Sequence, residues 1–296
     1  MKANLDLYYV FYVVAKEGSV TNASKVLYVS QPAITLQIKK LEDLLRISLF
    51  TRTKHGMVLT DEGNVLFEYV KNGINNIING ENIISSLKEL DTGSIRIGVS
   101  TTICRYVLMS YLETFHELYP KVDIQIINNK SEVLLKELRN GNLDMIMLFS
   151  PACNNKDLKI YNVLEVNDIF VTSKKYSNLI NKKIKLDELN SYPLIFPSNQ
   201  SSSRNCLNKY LKDYSIDLKP KLEVVSFNLI VDLIKTGFGI GFVTKEFIKD
   251  EIDKELLYEI NVSPVPPKRD IVIATIDKKE YNPCVKKLIE IISKKD

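Results

Sequence analysis

The chain has 296 residues, more than a lone small module needs and enough for two domains of about 150 residues each. With 45% hydrophobic and 26% charged residues it can bury a core of normal size, which excludes wholesale disorder. A net charge of +4 is too small to announce a polyanionic partner by itself, so the position of the charge matters more than its sum.

Residues 1–60 hold eight Lys/Arg against four acids, a surplus equal to that of the whole chain. Basicity is thus concentrated at the front. Cys104, Cys153, Cys206 and Cys284 lie tens of residues apart, with no CxxC pair and no histidine at metal-ligand spacing, and read as reduced, mostly buried thiols. No stretch reaches about 18 consecutive apolar residues. The N-terminal apolar run carries tyrosines, Asp6 and a Lys16-Glu17 exit, which makes a poor signal peptide. The expectation is a cytoplasmic protein without a membrane partner.

Leu5, Tyr8, Tyr9, Phe11, Tyr12 and Val13 give a first helix, which Gly18 stops. Val20, Ala23, Val26 and Leu27 predict a short second helix. Ser30 reads as the N-cap of a third, with Pro32 in its first turn, where the missing N–H has no intrahelical partner to lose. In that helix Ala33, Ile34, Ile38, Leu41 and Leu45 recur on a buried face, which leaves Gln31, Thr35, Leu36, Lys39 and Lys40 outside. Two short helices joined by a tight turn, the second polar and basic, read as a helix-turn-helix able to enter a major groove. Alternation around His55-Gly56 adds a wing. Beside it Arg52, Thr53 and Lys54 can hold phosphates.

Residues 19–63, SVTNASKVLYVSQPAITLQIKKLEDLLRISLFTRTKHGMVLTDEG, carry SQPA, QIKKLE, the LF-R wing and the LT-EG exit in order. This segment resembles the DNA-binding domain of LysR-type transcriptional regulators. The resemblance implies that Ser30, Gln31, Pro32, Thr35, Leu36 and Lys39 face base edges or backbone, with Arg52 and Thr53 at phosphate. Leu36 departs from the family, many of whose members carry arginine there. Leucine cannot pair with guanine, so that position should read weakly or touch a thymine methyl.

Thr60, followed by Asp61 and Glu62, caps a long helix whose apolar residues Leu66, Val70, Ile74, Ile77, Ile84 and Leu87 have the steps of a dimer seam. Packing of that face on its own domain is the alternative. Gly73 and Gly80 weaken the helix and are compatible with a bend.

After the turn cluster Asp91-Thr92-Gly93-Ser94, strand-like runs at 94–100, 122–128, 143–150, 168–174, 193–198, 222–226 and 270–276 alternate with helices at 103–118, 131–140, 203–214, 227–236 and 281–294. The order predicts an α/β fold with mostly parallel strands. Resemblance to the family's effector domain, which is like the periplasmic binding proteins, implies two subdomains joined by crossings near 161–166 and at Pro264-Val265-Pro266-Pro267. The expected organisation is a winged helix-turn-helix at 1–60, a linker helix at 61–90 and an effector domain at 91–296. Within the last, subdomain I spans 91–163 and 268–296, and subdomain II spans 164–267.

In such sheets ligands sit beyond the carboxyl ends of strands, where helix N-termini point. Ser100, Thr101 and Thr102 stand at such a place in one subdomain, and Ser198, Ser201, Ser202 and Ser203 in the other, with Ser150 completing the wall. Hydroxyls and helix N-termini facing one cleft suit a small anion, although serine and threonine are also ordinary caps. The STT segment looks like the subgroup of regulators of sulfur and cysteine metabolism. Gly237, Gly239 and Gly241 follow a helix, the reverse of the order a phosphate-binding loop needs, and read as a C-cap and turn. His55 and His116, the only histidines, lack the partners of a metal site or triad.

The reading is therefore a sequence-specific DNA-binding regulator, not an enzyme, without cofactor or metal. Its expected partners are operator DNA, a small effector, itself as dimer or tetramer and, through the resemblance, RNA polymerase. The alternative is a solute-binding protein without DNA binding, whose N-terminal helices mediate only assembly. An enzyme using the cleft serines is a third reading, which lacks a base.

Overall fold

The computed structural model describes residues 3–53, 56–88, 93–150, 157–277 and 282–294. Lys54, His55, Asp91, Thr92 and Cys153 lie outside these. The chain divides into two compact units, Met1–Lys88 with Asn140–Asn142, and Glu89–Arg139 with Leu143–Asp296.

The first unit opens with α1 (Leu5–Glu17), α2 (Val20–Leu27) and α3 (Gln31–Leu45), followed by the antiparallel hairpin β1 (Phe50–Thr53) and β2 (Gly56–Leu59) and the long α4 (Asp61–Lys88). Leu7, Val10, Phe11 and Val14 of α1 form the core with Ala23, Ile34, Ile38, Leu41 and Leu49. Leu5 and Tyr9, expected on that face, are instead exposed at 45% each. The apolar run of α1 is wider than its buried stripe, and periodicity alone did not say which edge stays wet. Gly18, at φ 62°, ends α1 in the left-handed region, where a residue without Cβ sits at no cost.

Ser30 stands at the N-cap of α3, but its hydroxyl forms no capping bond; only its carbonyl accepts, from Ile34 N. The side-chain cap expected there is absent. By contrast Thr60 does cap α4, its Oγ1 accepting from Gly63 N at 3.0 Å. On α4, Leu66, Phe67 and Val70 pack against the winged core, while Val65, Tyr69, Ile77, Ile78 and Ile84 are exposed. The expected seam is therefore divided: Leu66 and Val70 belong to their own domain, and Ile77 and Ile84 do not. Leu87 lies where side chains are outside the described set.

The second unit is one mixed sheet with helices on its faces. Its first half runs β4 (Val122–Asn128), β3 (Gly93–Val99), β5 (Met145–Phe149), β12 (Lys268–Ile276) and the start of β6 (Leu158–Thr172). Its second half runs from the end of β6 through β10 (Ile240–Thr244) and β8 (Leu194–Pro197) to β9 (Leu222–Val224). β11 (Tyr258–Ser263) pairs with β6 and with β7 (Lys183–Lys185). The helical segments are α5 (Thr101–Ile103), a π turn Cys104–Leu108, α6 (Met109–Leu118), α7 (Ser131–Arg139), α8 (Ser202–Asp213), α9 (Phe227–Lys235), α10 (Lys249–Asp253) and α11 (Pro283–Ser293), with short 3-10 turns between.

The inner strands read as continuous apolar runs because both faces are covered. Met145 and Met147 meet α6 and α11 through Phe115 and Leu288, whereas Ile146 and Leu148 meet α7 through Leu134 and Leu138. The strands were expected to be mostly parallel, but β12 is antiparallel to β5 and to β6, and β6 is antiparallel to β10 and β11. These are the crossing strands. β6 changes partner between Asn167, opposite Lys268 of β12, and Asp168, opposite Thr244 of β10. Pro264–Pro267 then carries the chain from β11 back to β12.

The KTGFGIGF segment closes α9 with paired bonds, Phe238 N to Leu233 O and Gly237 N to Ile234 O, around Gly237 at φ 79°. A Cβ on Gly239 would lie 2.1 Å from the Pro193 carbonyl oxygen, so this glycine serves close packing of backbone on backbone.

Candidate nucleic-acid interface and effector cleft

In the first unit, Gln31, Pro32, Thr35, Leu36 and Lys39 of α3 line one concave surface with Arg52 and Thr53 of β1. Ser19, Val20, Thr21, Gly56 and Met57 complete it, and Ser30 is not part of it. The surface exists because two local devices hold the wing against the helices. Glu42, the last residue of the QIKKLE motif, accepts from Leu49 N at 2.6 Å and Phe50 N at 3.3 Å, so a carboxylate anchors the start of β1. At the other side Met57 N donates to Gly18 O at 2.9 Å, and a Cβ on Gly56 would come within 2.4 Å of that same oxygen. Only glycine lets the wing approach so closely.

Within this surface polar groups differ in availability. The Thr35 hydroxyl donates to Gln31 O at 3.0 Å, back into its own helix. Thr53 Oγ1 donates to Gly56 O at 3.2 Å across the hairpin. Leu36 is 68% exposed. Ser19 and Thr21, which no sequence motif singled out, also stand in this surface, and Ser19 Oγ accepts from Asn22 N at 3.4 Å as the cap of α2.

In the second unit the sequence-predicted residues divide. Ser100 Oγ accepts from Ile103 N at 3.3 Å and Ser201 Oγ from Arg204 N at 3.1 Å, so both hydroxyls act as helix caps. Thr101 Oγ1 accepts from Asn128 Nδ2 at 2.7 Å, which ties the start of α5 to the end of β4. Two residues on, Lys130 Nζ donates to Gln200 Oε1, a bond from the first half of the sheet to the loop before α8. Ser202 and Ser203 meet Arg269, with Nη1 to Ser202 Oγ at 3.4 Å and Nη2 to Ser203 Oγ at 3.1 Å. Ser150 follows Phe149, whose ring lies 3.9 Å beneath the Arg269 guanidinium, and Ser150 N donates to Asp270 O. Ser198 N donates to Val224 O, a strand-edge bond, and Ser198 O accepts from Ser201 N at 3.0 Å, which closes the turn before α8.

Arg269 escaped the sequence reading. It stands on β12 at the second crossing and pairs with Asp168 on β6 at the first, Nε to Oδ2 at 2.5 Å and Nη2 to Oδ1 at 2.7 Å, with side chains 5% and 1% exposed. Thr244 Oγ1 also donates to Asp168 Oδ1 at 2.8 Å. The Arg269 guanidinium, its charge offset by Asp168, is held by the two serines that open α8, so the positive field at this place comes from the helix N-terminus. The two halves are further tied by Tyr106, whose hydroxyl donates to Asn228 Oδ1 at 2.8 Å and whose ring stacks on Phe247 at 5.0 Å. Burial pushes the Tyr106 hydroxyl and the thiols of Cys104, Cys206 and Cys284 up from their ordinary values, which disfavours the thiolate. Among the described residues no group of His, Cys, Asp and Glu could hold a metal ion.

Residues 5–64 match the family described as bacterial regulatory helix-turn-helix protein, lysR family, and residues 88–295 match the LysR substrate binding domain. The chain belongs to the LysR family. It is a LysR-type DNA-binding transcriptional regulator, and not an enzyme or a plain solute binder. It is similar to the protein of Thalassiosira pseudonana called probable RuBisCO transcriptional regulator, at 28% identity over 90% of this chain and 89% of that one. Two solved structures share the fold of this LysR regulator. One is full-length CbnR complexed with target DNA, at 18% identity and TM-score 0.70, covering 99% of this chain and 100% of that one. The other is the CcmR regulatory domain of Synechocystis PCC6803 in complex with 2-PG, at 19% identity and TM-score 0.60, covering 68% of this chain and 96% of that one.

Proposed function

We propose that this LysR regulator reads a two-fold operator as a dimer or tetramer and that a small anion, bound in the cleft of the second unit, changes how the paired heads meet DNA. The observation that carries the effector reading is the convergence of Arg269 on Ser202 and Ser203, with Lys130 spanning to Gln200 above Thr101. The Lys130 ammonium, donors of an Arg269 already paired with Asp168, hydroxyls and a helix N-terminus make a place for an anion with several oxygen atoms. Of the residues expected from sequence, Thr101, Ser202 and Ser203 are the effector contacts supported by this geometry. Ser100 and Ser201 act as caps, and Ser150, Ser198 and Thr102 form the surrounding wall. A related fold that holds 2-PG supports a small-molecule ligand here.

The DNA contacts are Gln31, Pro32, Thr35, Leu36 and Lys39 at base edges, with Arg52 and Thr53 at phosphate; Ser30 supports them only through its backbone. A fold shared with a DNA-bound regulator supports this assignment. Self-association uses the exposed Ile77, Ile78 and Ile84 of α4. RNA polymerase as a partner rests on the family resemblance, and the proposed division at 1–60, 61–90 and 91–296 on the helix start after Thr60 and the turn-forming sequence at 91–94. No helix among the described residues is long and apolar enough to cross a membrane, and the site of action proposed is the cytoplasm.

The test is a thermal-shift screen of sulfate, inorganic phosphate, thiosulfate and small phosphorylated or dicarboxylic acids, followed by DNase footprinting with any stabilising anion. Stabilisation that Ser203→Ala and Lys130→Ala both weaken, with an altered footprint, is the expected result; an unchanged footprint at saturating anion would sink the coupling. Arg52→Ala should weaken binding to all sequences alike and lower the salt slope by about one.

A further inference from the structure

We infer that the centre of the reading surface recognises DNA by carbon rather than by hydrogen bonding, and that Leu36 is the specificity-determining residue for a thymine C5-methyl in each half-site. The inference rests on the assignment of this surface to DNA and adds what it reads.

Three neighbouring groups of α3 face the same concavity, and none offers an outward donor. Pro32 has no N–H. The Thr35 hydroxyl proton is engaged by Gln31 O at 3.0 Å, which fixes that rotamer and leaves the γ-methyl as its other substituent. Leu36 is 68% exposed, the most exposed long apolar residue of a helix on which Ile34, Ile38 and Leu41 are buried and Leu44, at 42%, lies outside this concavity. An aliphatic side chain in water gains when something apolar covers it, and here it stands in a concavity shared with the cations Lys39 and Arg52, which restricts what that cover can be.

On a polyanion the apolar groups within reach of a recognition helix are the thymine methyls, which project into the major groove beside the O4 acceptor. Gln31, Lys39 and Arg52 supply the flanking polar contacts, so the occupant must be both anionic and locally apolar. Duplex DNA with thymine opposite Leu36 meets both demands. Guanine at that position would present N7 and O6 acceptors to a side chain that cannot donate.

The experiment uses the full chain and a high-affinity duplex selected from random DNA, so no natural operator need be known. Each thymine is replaced in turn by deoxyuridine, which removes the methyl and leaves base pairing intact. The wild-type protein should lose about fourfold in affinity at one thymine per half-site, the effect of leaving one methyl-sized group unburied. At that position 5-methylcytosine should bind more tightly than cytosine. Leu36→Ala should bind the thymine and deoxyuridine duplexes equally, and its exposed position makes loss of folding no issue. Leu36→Arg should exchange the selected base for guanine. Sequence-selective binding that is untouched by removal of every methyl would overturn this inference while leaving the regulator intact. A Leu36→Ala protein that still discriminates thymine from deoxyuridine would overturn it too. Loss of all sequence preference in the wild type would overturn both.

Discussion

The reading surface of the first unit and the cleft of the second are built on opposite plans. Around α3 the side chains proposed to meet DNA stand in solvent, and the wing is held behind them by Glu42, Gly18 and Gly56. In the cleft the groups suited to an anion already have partners: Arg269 holds Asp168, Lys130 holds Gln200, and Thr101 holds Asn128. The side-chain bonds of the reading surface from Thr35 to Gln31 O and from Thr53 to Gly56 O stay within its own helix and hairpin, whereas those of the second unit join elements far apart in the chain and are the kind a ligand can exchange.

The sharpest way to break this contrast is at the buried pair. Asp168→Ala leaves the Arg269 guanidinium buried without its counter-charge and should destabilise the protein by about 3–5 kcal/mol in denaturant unfolding. Asp168→Leu combined with Arg269→Met should regain most of that. If the single change costs no more than an exposed ion pair, about 0–1 kcal/mol, the crossing strands are not locked as described.

Behind the reading surface, Glu42→Ala removes a carboxylate that holds two backbone N–H groups. A loss of about 1.5–3 kcal/mol in stability should follow. Affinity for all DNA should fall as the wing loosens, and a footprint that keeps its strength would detach the wing from binding. Gln31→Ala acts on the exposed face itself. It should leave the melting temperature unchanged and cost about 1–3 kcal/mol of discrimination at an adenine, read by competition between duplexes.

The smallest effect concerns the caps. Ser30→Ala should change stability by less than about 0.5 kcal/mol, because no side-chain bond is lost. Ser201→Ala should cost about 1 kcal/mol. Equal losses at both serines would contradict the difference seen between the two helix starts.

Much of the first unit could be read along the chain because its function is local. Residues 19–57 contain the helix pair, the wing and nearly every side chain of the concave surface, and the order of SQPA, QIKKLE and LF-R carries their register. What local pattern missed there is geometric. It assigned Ser30 a capping hydroxyl that is not used, placed Leu5 and Tyr9 inward, and ran one seam along α4 where Leu66 and Val70 turn to their own core.

The cleft was legible only as two runs of hydroxyl residues at strand ends, Ser100–Thr102 and Ser198–Ser203. Amino-acid order alone determined the helix-turn-helix, the α/β alternation and the proline crossing, since propensity, periodicity and turn chemistry act over a few residues. Tertiary structure alone decided that Arg269 meets Asp168 across 101 positions and Ser203 across 66, and that Lys130 reaches Gln200 across 70. A guanidinium on a strand reads as an exposed edge until its neighbours are known. Whether it faces water or a carboxylate depends on which distant strand the sheet sets beside it.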